Sequence, residues 1–177
     1  MEWMLRPWKE EDAGDLACFA DNPRIAANLR NAFPSPYSRE DAVAYICACL
    51  EGDEDQQLTW AIQADGRAVG SIGVFRGEDV YEKNGEVGYW LAEPYWGRGI
   101  MTAAVRLAVD EAFARLDLCR LYAEPFARNT ASRRVLEKAG FTLEGILRDS
   151  VFKQGEVLDS CLYALLRRDW DKIRTNV

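Results

Sequence analysis

The sequence contains no histidine. That absence removes every Ser-His-Asp and Cys-His catalytic assembly, and every imidazole-ligated zinc or iron site. Acid–base chemistry in this chain falls to carboxylates, tyrosine, cysteine, lysine, hydroxyls or water. Cations are also in short supply: 22 Lys and Arg face 29 Asp and Glu, a net charge of −7. A general nucleic-acid binder needs the opposite balance, because it must neutralise phosphates. Nowhere do 18 apolar residues follow one another, so no membrane-spanning helix is expected. The opening MEWMLRPWKEEDAGD has early acids and no apolar run, unlike a signal peptide. The five cysteines, Cys18, Cys47, Cys49, Cys119 and Cys161, are odd in number and form no CxxC. Cys47 and Cys49 would point apart on a helix. No metal site is therefore expected, and reduced thiols in a cytoplasmic protein are. Cys119, just ahead of a strand, is expected in the core.

What is present is ordinary for one globular domain spanning 1–177. The chain is 49% hydrophobic and 29% charged, and its 177 residues can bury a sizeable core. No repeat, linker or low-complexity tract divides it. The charge is unevenly spread: residues 1–80 hold 7 basic and 15 acidic side chains, residues 81–177 hold 15 and 14. Such asymmetry points to an N-terminal half that attracts cations, notably at residues 51–55 and Asp41.

Periodicity predicts a strand at 2–8, helices at 9–20 and 22–31, and a loop at 33–37 with two prolines. Ser38 with Asp41 has capping-box spacing and opens a helix through Leu50. Strands follow at 58–63 and 68–75 around Asp65-Gly66, a hairpin signal, and at 85–91. A turn at 94–99 leads into a long helix at 100–116, then a strand at 119–126 and a helix at 130–139 stopped by Gly140. Strands at 141–152 and 157–166, joined through Gln154-Gly155, close the chain. The order β-α-α-α-β-β-β-α-β-α-β-β predicts an α/β fold with a mixed sheet of about seven strands flanked by helices.

Two stretches carry candidate chemistry. In the first, EVGYWLAEPYWGRGIMT from Glu86, a strand enters a helix through Gly97-Arg98-Gly99. Glycines there let the backbone turn sharply, and the first helical amides then face whatever anion sits at the turn. The lysine of a GxxxxGK[ST] loop is missing, which disfavours an unrelated nucleotide binder. In the second, NTASRRVLEKAGF from Asn129, Asn129 is a good N-cap and Ser132 lies three residues on. Arg128, Arg133, Arg134 and Lys138 make this the most basic stretch, suited to a second phosphate.

Together with EGILRD and LYALLRRDW, these stretches resemble the ribosomal-protein-alanine N-acetyltransferase branch of the GNAT superfamily, over nearly the whole chain. The resemblance implies a GNAT-like, mostly antiparallel mixed sheet and direct transfer of acetyl from acetyl-CoA to a primary amine. It places the pyrophosphate on Gly97, Arg98, Gly99, Ile100, Met101 and Thr102, the pantetheine amides along Trp90 and Leu91, and the cofactor arm on Asn129. Two departures stand out: Trp96 replaces the usual Gln or Arg, and Met101 replaces a small residue that would leave more room. The implied acceptor is a protein N-terminus, or a cationic amine such as a polyamine or aminoglycoside. The implied assembly is a monomer or homodimer. A CoA-binding module of the same fold without turnover is the alternative.

An amine attacks a thioester only when unprotonated, and the departing thiolate needs a proton. Without histidine, Glu86 is the candidate base, acting through burial or an intervening water. Simple alternation places Glu86, Gly88 and Trp90 on one face of their strand. Ser132 is the candidate donor to the thiolate, with Tyr89 and Tyr122 as substitutes. A pairing of Glu86 with a neighbouring arginine, and of Ser132 with the start of its helix, would give both residues purely structural roles.

Overall fold

Of the seven residues expected in the first strand, only Trp3–Arg6 pair, as β1. The computed structural model describes residues 2–175. Arg6 ends β1 by turning its guanidinium onto the carboxylate of Asp12, with two hydrogen bonds of 2.7 Å. Asp12 also accepts from the Lys9 amide, so the next helix opens with a tight turn at Glu10–Asp12 before α1, Ala13–Ala20. The helix expected at 22–31 is a single turn, α2, Pro23–Ala26. Beyond it the chain closes with a shorter-range bond from the Asn28 amide to the Ile25 carbonyl, and the segment turns toward the sheet. The capping box of Ser38 and Asp41 forms as expected and starts α3, Arg39–Glu51.

The remaining elements follow the expected order. They are β2 Gln57–Ala64, β3 Arg67–Arg76, β4 Asn84–Leu91, α4 Ile100–Arg115, β5 Arg120–Ala123, α5 Thr130–Lys138, β6 Thr142–Lys153 and β7 Glu156–Leu166. The sheet runs β1-β2-β3-β4-β5-β7-β6. Its only parallel neighbours among the described strands are β4 and β5, which α4 connects. Their register is short: Asn84, Gly85 and Glu86 lie opposite Arg120, Leu121 and Tyr122. Beyond Glu86, β4 continues to Leu91 against β3 alone. The strand expected at 119–126 is thus cut to four residues, and the sheet splits open between β4 and β5.

Helices cover both faces. α4 lays Ile100, Met101, Ala104, Val105, Ala108, Val109, Ala112 and Phe113 against Ile62, Val69, Ile72, Val74 and Leu121. Its alanines at four-residue spacing let the backbone approach the strands closely. On the other face Trp8, Leu16, Ala20, Tyr37 and Ile46 close over Ala61 and Ala68. Cys119, expected in the core, is exposed instead, because it lies in the link before β5; the fully buried cysteine is Cys161 on β7.

One element was not expected. Arg167–Thr175 form a helix, α6, that docks Trp170, only 4% exposed, and bonds its indole to Asp110 on α4 at 2.9 Å. Arg167 donates to the carbonyls of Leu118, Phe113 and Leu116 at 2.7, 2.6 and 3.0 Å. A cation there satisfies the carbonyls that the end of α4 and the following link leave open. Among the described residues, no helix is long and apolar enough to cross a membrane.

Candidate active site

The turn after β4 sets the first wall of the site. Gly97 and Gly99 have φ of +73° and +78°, in the left-handed region. A Cβ at either position would meet nothing within 4 Å, so the demand for glycine is one of backbone conformation rather than space. Gly99 is the N-cap of α4 and supplies no side chain, which leaves the first-turn amides to water or a ligand. Ile100 and Met101 turn their side chains into the core, 3% and 8% exposed. Met101 therefore does not narrow the turn; its backbone amide is what faces outward.

Trp96 occupies the expected Gln or Arg position with a role of its own. Its indole donates to the Leu91 carbonyl at 2.6 Å, and the Arg24 guanidinium lies 5.4 Å from its ring centre. Leu91, expected along the pantetheine, thus gives its carbonyl to Trp96. Trp90 packs edge-on against Phe33, with ring centres 5.9 Å apart.

The split between β4 and β5 is the second wall. Alternation along β4 sends Glu86 and Trp90 to the face of the N-terminal helices and Tyr89 to the face of α4 and α5. Asn129 caps α5 by accepting from the Ser132 amide at 3.2 Å. That cap aims the Ser132 hydroxyl at β4, where its oxygen lies 2.8 Å from the Tyr89 hydroxyl. Burial pushes the Tyr89 phenol far above the usual tyrosine range; the bond to Ser132 opposes this only in part. Tyr89 is therefore held as the neutral phenol. Its contact with Ser132 spans 43 residues of sequence, which spacing alone could not reveal.

On the opposite face, Glu86 is paired with Arg30, from the segment after α2. The structural alternative for Glu86, an arginine partner, is thus real, yet the pair sits where β4 leaves β5 rather than on an outlying surface. Tyr122, opposite Glu86 in the register, has its hydroxyl pushed up by burial and then by the charges of Glu86 and Glu124. The segment carrying Arg30 is held by two further ties, from Arg128 to the Ala27 carbonyl at 2.7 Å and from Lys153 to Asn31 at 3.0 Å.

The basic stretch is less available than expected. Arg128 serves Ala27 and Glu156, and Arg133 bonds the Tyr163 hydroxyl and the Ala127 carbonyl, each at 3.2 Å. Both cations support the scaffold. The acidic half also differs from expectation. Asp41 is consumed in its capping box, and Glu54 pairs with Arg115 at the last turn of α4. A 16-residue helix is about 24 Å long, so the acids at 51–55 lie by the end of α4 remote from the glycine turn.

Residues 3–142 match the acetyltransferase (GNAT) domain family. The chain belongs to the GNAT N-acetyltransferase family. It is 41% identical over 120 residues to the probable N-acetyltransferase YjcK of Bacillus subtilis (strain 168), a match covering 68% of this chain and 66% of that one. To the putative ribosomal N-acetyltransferase YdaF of the same organism it is 33% identical over 162 residues, covering 92% and 82%. Among solved structures, RimL, a ribosomal L7/L12 alpha-N-protein acetyltransferase in complex with coenzyme A, superposes with a TM-score of 0.82. That match covers 93% of each chain at 22% identity, a likeness of fold. The seven-stranded mixed sheet flanked by helices is the GNAT acyltransferase architecture.

Proposed function

We propose that this chain binds acetyl-CoA in the cleft between β4 and β5 and passes its acetyl group directly to a primary amine. The observation that carries this reading is the split itself, with a carboxylate on one face of β4 and a tyrosine–serine pair on the other. The residues fit the cofactor. Positive-φ glycines and an uncapped helix start offer amides to a pyrophosphate through residues 97–102. The edge of β4 at Trp90 and Leu91 is unpaired with β5 and offers strand-like pairing, with the Leu91 carbonyl freed when the Trp96 indole releases it, and Asn129 stands at the start of α5 beside the opening.

When bound, acetyl-CoA supplies an acetyl thioester, whose C–S bond breaks as the amine nitrogen bonds the carbonyl carbon. Glu86 takes the amine proton through a water, since Arg30 already engages its carboxylate. Ser132 passes its hydroxyl proton to the departing sulfur as the Tyr89 proton moves onto Ser132, and solvent returns a proton to Tyr89 once the thiol has left, so the relay ends as it began. Proton removal and proton delivery thus lie on opposite faces of one strand, and neither group competes for the other's proton. No cysteine serves as a covalent carrier.

The acceptor we favour is a polypeptide N-terminus, supported by the names of YdaF and RimL. A polyamine is the second reading: Asp41 and Glu54 are engaged within the fold, while Glu51, Asp53 and Asp55 are exposed. The single sheet supports one N-acetyltransferase domain and the free cysteines support a reducing, cytoplasmic setting; the proposed assembly is a monomer or homodimer.

Glu86→Gln should cut turnover at least about tenfold while coenzyme A still raises the melting temperature. Near-normal thiol release would remove Glu86 from the role. Stabilisation of the wild type by coenzyme A with no thiol release from any amine would leave a CoA-binding module.

A further inference from the structure

The last residue of β6 is a lysine buried without a counter-charge. Lys153 is only 6% exposed. Its ammonium makes one hydrogen bond, to the Asn31 side-chain oxygen at 3.0 Å, and joins none of the ion pairs among the described residues. An ammonium has three donors, and burying one unmatched is costly, so a fold that does so without purpose is disfavoured.

Lys153 lines a cleft of about 210 Å³ together with Arg30, Asn31, Glu124, Ser150 and Ser160. The serines are already satisfied. Ser150 donates to the Leu147 carbonyl at 2.9 Å, so the proton in its 2.7 Å contact with Ser160 belongs to Ser160. Arg30 is matched by Glu86. Arg30 and Lys153 both bring N–H donors to the cleft, and of the two Lys153 is the cation without an ion-pair partner among the described residues. The cleft is therefore polarised: Glu124 lines its β4–β5 side, where Arg30 leads on to Glu86, and Lys153, with no ion-pair partner among the described residues, lies at the hairpin side. It is also smaller than the roughly 300–1,000 Å³ of pockets that enclose drug-sized ligands. Its size suits a chain end or a single residue.

We propose that the acceptor carries a carboxylate a few bonds from its reacting amine, with the carboxylate seated on Lys153 and the amine turned toward Glu86 and Glu124. This rests on the acetyl-transfer reading above and narrows its substrate class. Two sources share the chemistry: a free amino acid, through its α-carboxylate, and a polypeptide N-terminus with an acidic second residue.

Thiol release by the full chain with acetyl-CoA tests the proposal in matched pairs, with rates expressed per unprotonated amine. Alanine is compared with alaninamide, and Ala-Asp-Ala-amide with Ala-Asn-Ala-amide; spermidine serves as an acceptor with no carboxylate. The expected result is a preference of roughly tenfold to a hundredfold in kcat/KM for the carboxylate member of one pair. Which pair shows it identifies the source. Lys153→Met should abolish that preference by raising KM for the carboxylate acceptor; loss of the Asn31 tie slows both members of a pair alike, so the ratio within the pair is the readout. Equal rates within both pairs, faster carboxamides, spermidine as the best acceptor, or a preference that survives Lys153→Met would each overturn it. Should Lys153→Met not fold, the wild-type pairs decide alone. If no amine releases thiol although coenzyme A raises the melting temperature, the acetyl-transfer reading itself fails, and this proposal with it.

Discussion

Gly97 and Gly99 differ from the other residues of the turn in one respect: their backbone angles, not their neighbours, exclude a side chain. Gly99→Ala should therefore cost about 1–2 kcal/mol of strain, lowering the melting temperature by about 2–4 °C per kcal/mol in a chain of this length. The same change should shrink the stabilisation that coenzyme A adds; an undiminished shift would mean that the turn is not the cradle. Ser132 and Tyr89 make a different kind of unit. If they form one proton relay, Ser132→Ala and Tyr89→Phe each slow turnover, and the double variant is no slower than the worse single one. Multiplying effects, measured under saturating acetyl-CoA, would show two independent groups. Asn129 and Ser132 could be read as neighbours from N-cap spacing. The Tyr89 contact could not, because it joins a strand to a helix 43 residues away.

At the scale of elements, the clearest lesson lies in those that came out shorter or unannounced. A strand is expected over 119–126, yet only Arg120–Ala123 form β5 and only Arg120–Tyr122 pair with β4; beyond them the chain stays with β7 through Phe126 and Ser160 and leaves β4. Local pattern carries no information about where two strands part, yet that parting makes the cleft. α6 went unread for the opposite reason. Nine residues are too few to hold a helix by propensity, and its stability comes from Trp170 in the core and Arg167 on the end of α4. Arg167→Ala removes three hydrogen bonds, and of the three carbonyls only that of Leu116 keeps another donor among the described residues, the Leu118 amide at 2.8 Å. It should destabilise the fold by about 1–3 kcal/mol, read by chemical denaturation, with KM for acetyl-CoA unchanged. A matching loss of cofactor affinity would show that the far end of α4 is coupled to its glycine turn.

For the whole molecule, the missing histidine and the surplus of acids become statements about pH. With no imidazole to titrate, unfolding free energy should be flat between about pH 5.5 and 7. Burial alone would raise the Asp12 carboxyl. The hydrogen bonds from Arg6 and the Lys9 amide, with the charge of Arg6, outweigh it and hold the group below the usual carboxylate range. The sign follows: Asp12 adds stability that is complete above the unfolded value of about 3.9 and is lost as pH falls through the lower folded value. Denaturation curves should slope downward below about pH 4. Asp12→Asn should lower the plateau and flatten part of that slope; an unchanged slope would assign acid lability to other carboxylates. The sequence by itself determined the order of elements through β7, the capped starts of α3 and α5, the glycine turn and the exclusion of imidazole chemistry. Each of these is written in spacing a few residues long. Tertiary structure alone decided that Tyr89 meets Ser132, that Glu86 meets Arg30, that Arg128 and Arg133 are tied to Ala27 and Tyr163, and that Lys153 lies buried beside an open cleft. Those pairings depend on where β4 and β5 separate and on which face of the sheet each side chain takes, and both are set by packing between segments distant in the chain.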